Sequence, residues 1–109
     1  MDFEDSGFED IGDELARLAQ ETINAQGNGF DIAEVRMRCQ RVIDLYANGA
    51  IQDGRDNFHA AIVLLYGENS AHYDLSRTFA YRAVQQGEPR ARSLQAMSWD
   101  RWLLSVGRA

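Results

Sequence analysis

Lysine is absent from this chain of 109 residues, and all eleven of its basic side chains are arginine. A phosphate-binding loop of the Gly-Lys-Ser or Gly-Lys-Thr type is therefore excluded. The chain has a single cysteine, Cys39, which rules out an internal disulfide and favours a reducing, intracellular setting. It also has no run of about eighteen apolar residues, so no transmembrane segment is expected. These absences predict a cytoplasmic protein without a membrane partner.

Basic residues are also missing from the start of the chain, where seven acids stand between Met1 and Glu14. Such a start lacks the basic and apolar regions of a secretory signal. The simplest interpretation of this composition is a solvated arm. We therefore predict a flexible acidic arm over residues 1–6.

The last third of the chain carries the opposite charge. From Arg77 to Ala109, six arginines face only Glu88 and Asp100. The two ends could attract each other, within one molecule or between two. The formal net charge of −6 nevertheless disfavours nucleic acid as a partner. A local basic patch on the last two helices stays open as an alternative, formed by Arg77, Arg82, Arg90 and Arg92.

Proline is nearly absent too, since Pro89 is the only one, while hydrophobic residues make up 45% of the chain. This composition is typical of a folded, helix-rich protein. No segment shows the sustained alternation of apolar and polar residues that indicates a strand. Glycines stand where apolar helical patterns end, about every twenty residues, as helix C-caps do. The prediction is one all-α domain over residues 1–109, with about five helices in antiparallel hairpins.

Residues with capping side chains indicate where these helices begin. Ser6 and Glu9 have the spacing of a capping box, which places the first start near Phe8. Phe30 and Val35 flank the second start as a hydrophobic staple. An aspartate is expected to cap the third helix and a serine the fourth, and a proline is expected at the first position of the fifth. In chain order the predicted caps are Ser6, Asp31, Asp53 or Asp56, and Ser70, and Pro89 is the first residue of the last helix.

The run from His59 to Tyr66 is apolar on every side, and we predict that it is a central helix surrounded by the others. Phe79 belongs to an apolar row of the next helix and is assigned to the core. Cys39 also lies on an apolar row, which indicates a buried thiol rather than a nucleophile. In the last helix, the stripe predicted to face the central helix is Ala96, Trp99, Leu103 and Val106.

Three features follow one another within residues 58–109. They are an alanine-rich buried helix at residues 60–66, a helix that ends in Ala-Val-x-x-Gly-Glu at residues 83–88, and a helix that carries Asp100-Arg101 and closes at Gly107. In this order of features, residues 58–109 resemble an uncharacterised family of small bacterial helical domains. The family's following Gln-x-Tyr-Gly-Thr segment is absent, and Tyr66 stands where members often have histidine. The resemblance implies the helical fold and no particular activity.

A shorter stretch, residues 80–91, is similar to the second helix and turn of a Sel1-like or tetratricopeptide unit. This likeness covers about one helical hairpin. It implies a helix that turns at Gly87 into the next helix. A repeat-like array is therefore an alternative to a helical bundle.

His59 and His72 are the only histidines, and a metal site would need further ligands such as Asp56, Glu68 or Asp74. Neither His-x-x-x-His nor Cys-x-x-Cys occurs. We therefore predict no metal site and no cofactor, with both histidines at the surface or at helix ends.

Two classes of function remain. The first is a non-catalytic interaction module that binds a protein partner or forms a homodimer through the last two helices. Trp99 and Trp102 share one side of a helix, and one of them could stack on Arg82 by a cation-π contact. Together with Arg101, these residues are the predicted partner-binding set. The alternative is a small enzyme with a polar site at His59, Tyr66, Asp100 and Arg101.

Overall fold

The computed structural model describes residues 9–29 and 31–107. Within these ranges the chain forms five α-helices and no strand, so the predicted all-α class and the number of helices are confirmed. Short connections join the helices. They are α1 (Ile11–Asn28), α2 (Ile32–Ala47), α3 (Gly54–Leu65), α4 (Ser70–Gln85) and α5 (Ala91–Ser105).

Helix α3 lies at the centre, as its sequence predicts. Its residues from Ala60 to Leu65 are all buried, and α1, α2, α4 and α5 each pack against it. A helix that is apolar on every side needs neighbours on every side, because any face left in water exposes apolar surface. The closest neighbour is α4, where the Ser76 hydroxyl donates a hydrogen bond to the Ala61 carbonyl at 2.7 Å.

Capping side chains begin four of the helices. Asp31 and Asp53 are confirmed as caps, since they accept from backbone amides two and three residues further on at 2.8 Å. The predicted start of α1 near Phe8 is wrong, because α1 begins at Ile11 and the Asp10 side chain caps it by accepting from the Asp13 amide at 2.8 Å. Ser6, the predicted cap, and Phe30, a predicted staple residue, lie outside the described residues. Asn69, not the predicted Ser70, caps α4.

The start of α5 also differs from the prediction. Pro89 is not its first residue, because Pro89 and Arg90 form a turn and the helix begins at Ala91. Here the Ala91 amide donates to the Glu88 carbonyl at 3.1 Å, a tight i to i+3 contact. Such contacts are common where a helix starts without a capping side chain. Helix α5 therefore begins two residues later than predicted.

Two glycines end helices in different ways. Gly87 has a φ of 85°, the left-handed conformation in which a glycine avoids the strain of a Cβ atom, so its predicted role as a stop is confirmed. Gly67 is not among the described glycines that have a positive φ. A Cβ atom on it would lie 2.5 Å from Nδ1 of His72, so a larger residue there would displace the histidine ring.

The predicted facing of α5 is wrong. Trp99 is 47% exposed, Val106 is 40% exposed, and Ala96 is also exposed. The core side of α5 is instead formed by Ala91, Leu94 and Ser98. Small side chains let α5 approach its neighbours closely, so the bulkier aromatic row is displaced outward.

Phe79 is fully buried, and the ring of Tyr46 meets it edge-on with 5.1 Å between ring centroids. We expect Phe79→Ala to lower the free energy of unfolding by about 3 to 5 kcal/mol, since it removes a large apolar side chain and leaves a cavity. The matched control is Tyr81→Ala on the same helix, where the side chain is 54% exposed. Urea titration should give a change within about 0.5 kcal/mol for the control. Equal losses in the two variants would contradict this packing.

Candidate interaction site

An open groove runs between α4 and α5 on the outer side of the helix pair and encloses about 540 Å³. One wall of this groove includes Trp99, which α5 turns outward from the core. The small side chain of Ala96 leaves room between the larger residues. We call it the α4–α5 groove. Its lining includes Arg77 and Tyr81 of α4 and Arg92, Ala96, Trp99 and Asp100 of α5.

Arg77 is stacked on both tryptophans at one end of the groove. Its guanidinium carbon lies 4.6 Å from the ring centroid of Trp102 and 5.2 Å from that of Trp99. The side chain of Asp74 accepts a hydrogen bond from Arg77 and forms an ion pair with it. Cation-π contacts that remain partly exposed contribute on the order of 0.5 to 1 kcal/mol each. Arg77 therefore has a fixed position before any ligand arrives.

The stacking on tryptophan was predicted for Arg82, and this prediction is wrong. Arg82 lies over the ring of Tyr46 at 6.0 Å and donates a hydrogen bond to the Ile51 carbonyl at 3.2 Å. It ties α4 to α2 and to the α2–α3 connection. Five residues separate Arg77 from Arg82, which on a helix places them about 140° apart. Only Arg77 can therefore face α5.

Arg101 also has partners within the chain. Its Nη1 donates a hydrogen bond to the Leu65 carbonyl at 2.9 Å, and its guanidinium carbon lies 5.2 Å from the ring centroid of Tyr66 and 5.9 Å from that of Tyr73. The Leu65 carbonyl belongs to the last turn of α3, where the helix dipole favours a cation. Arg101 thus closes the C-terminal end of the central helix.

The residues of the enzymatic alternative do not meet. Tyr66 and Arg101 share a small pocket of about 230 Å³, whereas Asp100 lines the α4–α5 groove. His59 lies on α3 two turns before Tyr66, roughly 10 Å along the helix axis. There it is close enough to Arg55 and Arg90 for their charges to lower its pKa, although burial lowers that pKa more. The four side chains therefore do not form one polar site.

The possible metal ligands are dispersed, and the one possible thiol nucleophile, Cys39, is buried. Among the described residues, no three His, Cys, Asp or Glu side chains are grouped so that they could hold a metal ion. Cys39 is 1% exposed and its thiol lies 3.8 Å from the Val63 carbonyl. Burial raises the pKa of this thiol to about 11, so the thiolate is scarce at neutral pH. The predicted burial of Cys39 is confirmed.

Some residues of this site are recognisable in the sequence, and others are not. Trp99 and Trp102 were singled out, and Arg77 and Arg92 were noted as a possible basic patch. Tyr81 was missed, although its spacing of four from Arg77 places the two on one helix face, which is the signal that could have found it. The structure brings Arg77, Tyr81, Arg92 and Trp99 to one groove and leaves Arg82 and Arg101 outside it.

Comparison with known proteins finds no family model that matches the chain, and no curated protein or solved structure matches it either. The resemblances to a bacterial helical family and to a tetratricopeptide hairpin thus stay predictions. None of the helices in the described ranges has the length and apolar character needed to cross a membrane.

His72 is held in its neutral form by the structure. Its Nδ1 accepts a hydrogen bond from the Glu68 amide at 3.0 Å, which protonation of that nitrogen would break. Burial lowers the pKa of His72 below its ordinary value of 6.5, although the charge of Glu68 opposes this shift. Between the lowered pKa and 6.5 the unfolded chain binds more protons than the folded chain. This stabilisation is complete above about pH 6.5 and is lost as the pH falls through the lowered pKa.

We expect His72→Asn to reduce the dependence of stability on pH in that range. The amide oxygen of the introduced side chain can accept from the same backbone amide but does not titrate. Urea titrations of both proteins at neutral pH and below about pH 6.5 provide the measurement. The free energy of unfolding should fall more steeply with acidification in the wild type. Parallel pH profiles would mean that His72 is not linked to folding.

Proposed function

We propose that this chain is a non-catalytic helical interaction module that binds a protein partner through the α4–α5 groove. The observation that carries the proposal is the exposure of Trp99 at 47% and Tyr81 at 54%, on either wall of a groove in which Arg77 is already fixed. Tryptophan, tyrosine and arginine are the residues most enriched among binding hot spots.

Apolar surface continues beyond the groove along α5. Met97 is 43% exposed, Leu104 is 64% exposed and Val106 is 40% exposed. Groups of exposed apolar side chains rimmed by charges are typical of protein interfaces. Val106 is seven positions from Trp99 and shares its side of α5, whereas Met97 and Leu104 lie about 160° and 140° around the helix from Trp99. A specific interface needs about 1,000 Å² in total.

The arrangement of Arg77 favours binding because little order has to be imposed on it. Two tryptophan rings and Asp74 already restrict the guanidinium group. An arginine that is fixed in advance loses less side-chain entropy when a ligand binds. Asp74 and both rings leave other N–H groups of Arg77 available as donors, because a guanidinium carries five.

Catalysis is the weaker interpretation, because the groups in the groove lining that could transfer a proton or act as a nucleophile, Thr78, Tyr81 and Asp100, form no hydrogen bond with one another in the described part of the chain. Its lining in the described part of the chain includes neither histidine nor cysteine. The pocket that does join Tyr66 and Arg101 is smaller, and there Arg101 already contacts a backbone carbonyl and two rings. A homodimer, the other partner predicted from the sequence, would use the same exposed face of α5. No nucleic acid or membrane partner is proposed.

The proposal is tested by capture of a partner from native lysate on the immobilised protein. Trp99→Ala should weaken capture by about 30-fold, the equivalent of losing a hot spot of about 2 kcal/mol. The matched control is Met37→Ala on α2, where the side chain is 65% exposed but lies outside the groove. The control should retain capture. Equal capture by Trp99→Ala and the wild type would refute the proposed role of the groove.

A further inference from the structure

We infer that a groove between α1 and α2 binds a small monocarboxylate through the buried guanidinium group of Arg38. The site is separate from the α4–α5 groove and does not depend on the proposed function. We call it the α1–α2 groove. Its lining includes Arg17, Leu18 and Glu21 of α1 and Met37, Arg38 and Arg41 of α2.

Arg38 stands in the apolar row that α2 buries in the domain. Val35, Val42 and Leu45 belong to the same row at spacings of three and four, and all of them are buried. Arg38 itself is only 6% exposed. A charge at such a position is unfavourable unless it is paired, because it has lost most of its contact with water. A residue that breaks the local pattern in this way is expected at a functional site.

The guanidinium of Arg38 donates no hydrogen bond to the side chains or carbonyls of residues 9–29 and 31–107. Its ion pair in these ranges is with Glu34, whose Oε1 lies 3.9 Å from Nη1 of Arg38, too far for a hydrogen bond. By contrast, Arg41 on the next turn donates two hydrogen bonds to Glu14, at 2.7 and 3.0 Å. A guanidinium carries five N–H donors, so Arg38 has donors available for a ligand.

Two pockets reach Arg38 along the groove, and Met37 also lines both of them. One encloses about 260 Å³ and extends towards Arg41, and the other encloses about 440 Å³ and extends towards Gly29 at the α1–α2 connection. The nitrogens of Arg38 are not among the fully enclosed side-chain atoms that lack a partner. The small accessible surface of this arginine therefore lies where a ligand can contact it.

The charges around Arg38 favour an anion with a single charge. Glu14 and Glu21 are already paired with other arginines, at 2.7 and 2.8 Å. The side chain of Glu34 is 61% exposed and can turn into solvent at little cost. A carboxylate can then replace it and accept two hydrogen bonds from the guanidinium group. A phosphate dianion would bring a second negative charge towards Glu21 and Glu34, which opposes its binding.

The rest of the ligand is expected to be short and apolar. Leu18 and Met37 line the pocket of about 260 Å³ beside Arg38. Leu18 is buried in the core, whereas Met37 is 65% exposed and has an unbranched side chain that can fold over a ligand. A water molecule occupies about 30 Å³ in the liquid, so this pocket has room for a few carbon atoms beyond a carboxylate. Butyrate and benzoate are suitable probes.

Titration of the full chain with butyrate, followed by NMR at constant ionic strength, tests the inference. The Nε–H signal of Arg38 and the amide signals of the α1–α2 groove should shift and saturate, while those of α4 and α5 should not. Benzoate should also shift the signals of the α1–α2 groove. Butanol and inorganic phosphate should bind at least about tenfold more weakly than butyrate. Absence of a saturable shift with both carboxylates would mean that water alone fills the groove, and equal binding of phosphate would exclude a monocarboxylate site. Either result would overturn the inference.

Matched variants separate the site from net charge. Arg38→Met keeps an apolar chain, should fold because it removes an unpartnered buried charge, and should weaken butyrate binding at least about tenfold. The control is Arg36→Met on the same helix, where the side chain is 66% exposed, and it should keep the affinity of the wild type. Equal losses in the two variants would mean that the anion responds to net charge alone, and the inference would fail.

Glu34→Gln removes the carboxylate that a ligand has to replace, so it should strengthen butyrate binding. Asp44→Asn, at an exposed position of the same helix, makes the same change in charge and should not. Weaker binding to Glu34→Gln than to the wild type would contradict the replacement of Glu34. This variant leaves Arg38 in place, so the test does not depend on the folding of Arg38→Met.

Two further outcomes fix the source of the carboxylate and the place where it binds. The amide of N-acetylglutamate carries the side chain of a protein glutamate with one negative charge. Tighter binding of this probe than of butyrate would assign the groove to a protein side chain and overturn the inference. Trp99→Ala should bind butyrate as the wild type does. Loss of butyrate binding in that variant would place the ligand in the α4–α5 groove instead.

Discussion

The fold depends on covering the central helix from every direction. From Ala60 to Leu65, α3 has no face that could be left in water, so four helices must surround it. Small residues decide how closely they approach. Ala80 of α4 is fully buried, and the Ser76 hydroxyl satisfies a lone pair of the Ala61 carbonyl at the contact. The burial of one apolar segment thus sets the arrangement of all its neighbours.

The same constraint explains why α5 carries an exposed aromatic face. Because α3 already has three other neighbours, α5 needs only a narrow buried strip, which Ala91, Leu94 and Ser98 provide. Its larger apolar residues then lie on the flanks of the helix. Trp99 is one of them, and the stack with Arg77 covers part of its ring. The groove is therefore a consequence of close packing by small residues elsewhere on α5.

Capping chemistry and all-round apolarity are local properties, so the sequence predicted the number of helices, the caps of α2 and α3, and the burial of α3. The rotation of α5 is not local. Apolar residues occur on all of its sides, and the buried strip includes Ser98, which no hydrophobic pattern selects. The stack was assigned to Arg82 for want of another non-local property, the facing of α4, which turns Arg77 towards the tryptophans and Arg82 towards Tyr46. Half of the candidate site could be predicted, because tryptophan and arginine are recognisable by type but their facing is not.

The arginines show why exposure alone does not define the site. Arg82 and Arg101 both lie over tyrosine rings, but each donates to a backbone carbonyl that would lose its partner if the side chain turned outward. Leaving such a carbonyl unpaired is unfavourable by about 1 to 3 kcal/mol when it is buried. Arg77 donates only to a side chain, and Arg92 donates to none in the described part of the chain. The four arginines have the same charge but different hydrogen-bond acceptors. Those that donate to a backbone carbonyl hold the fold, and Arg77 and Arg92 do not have this role.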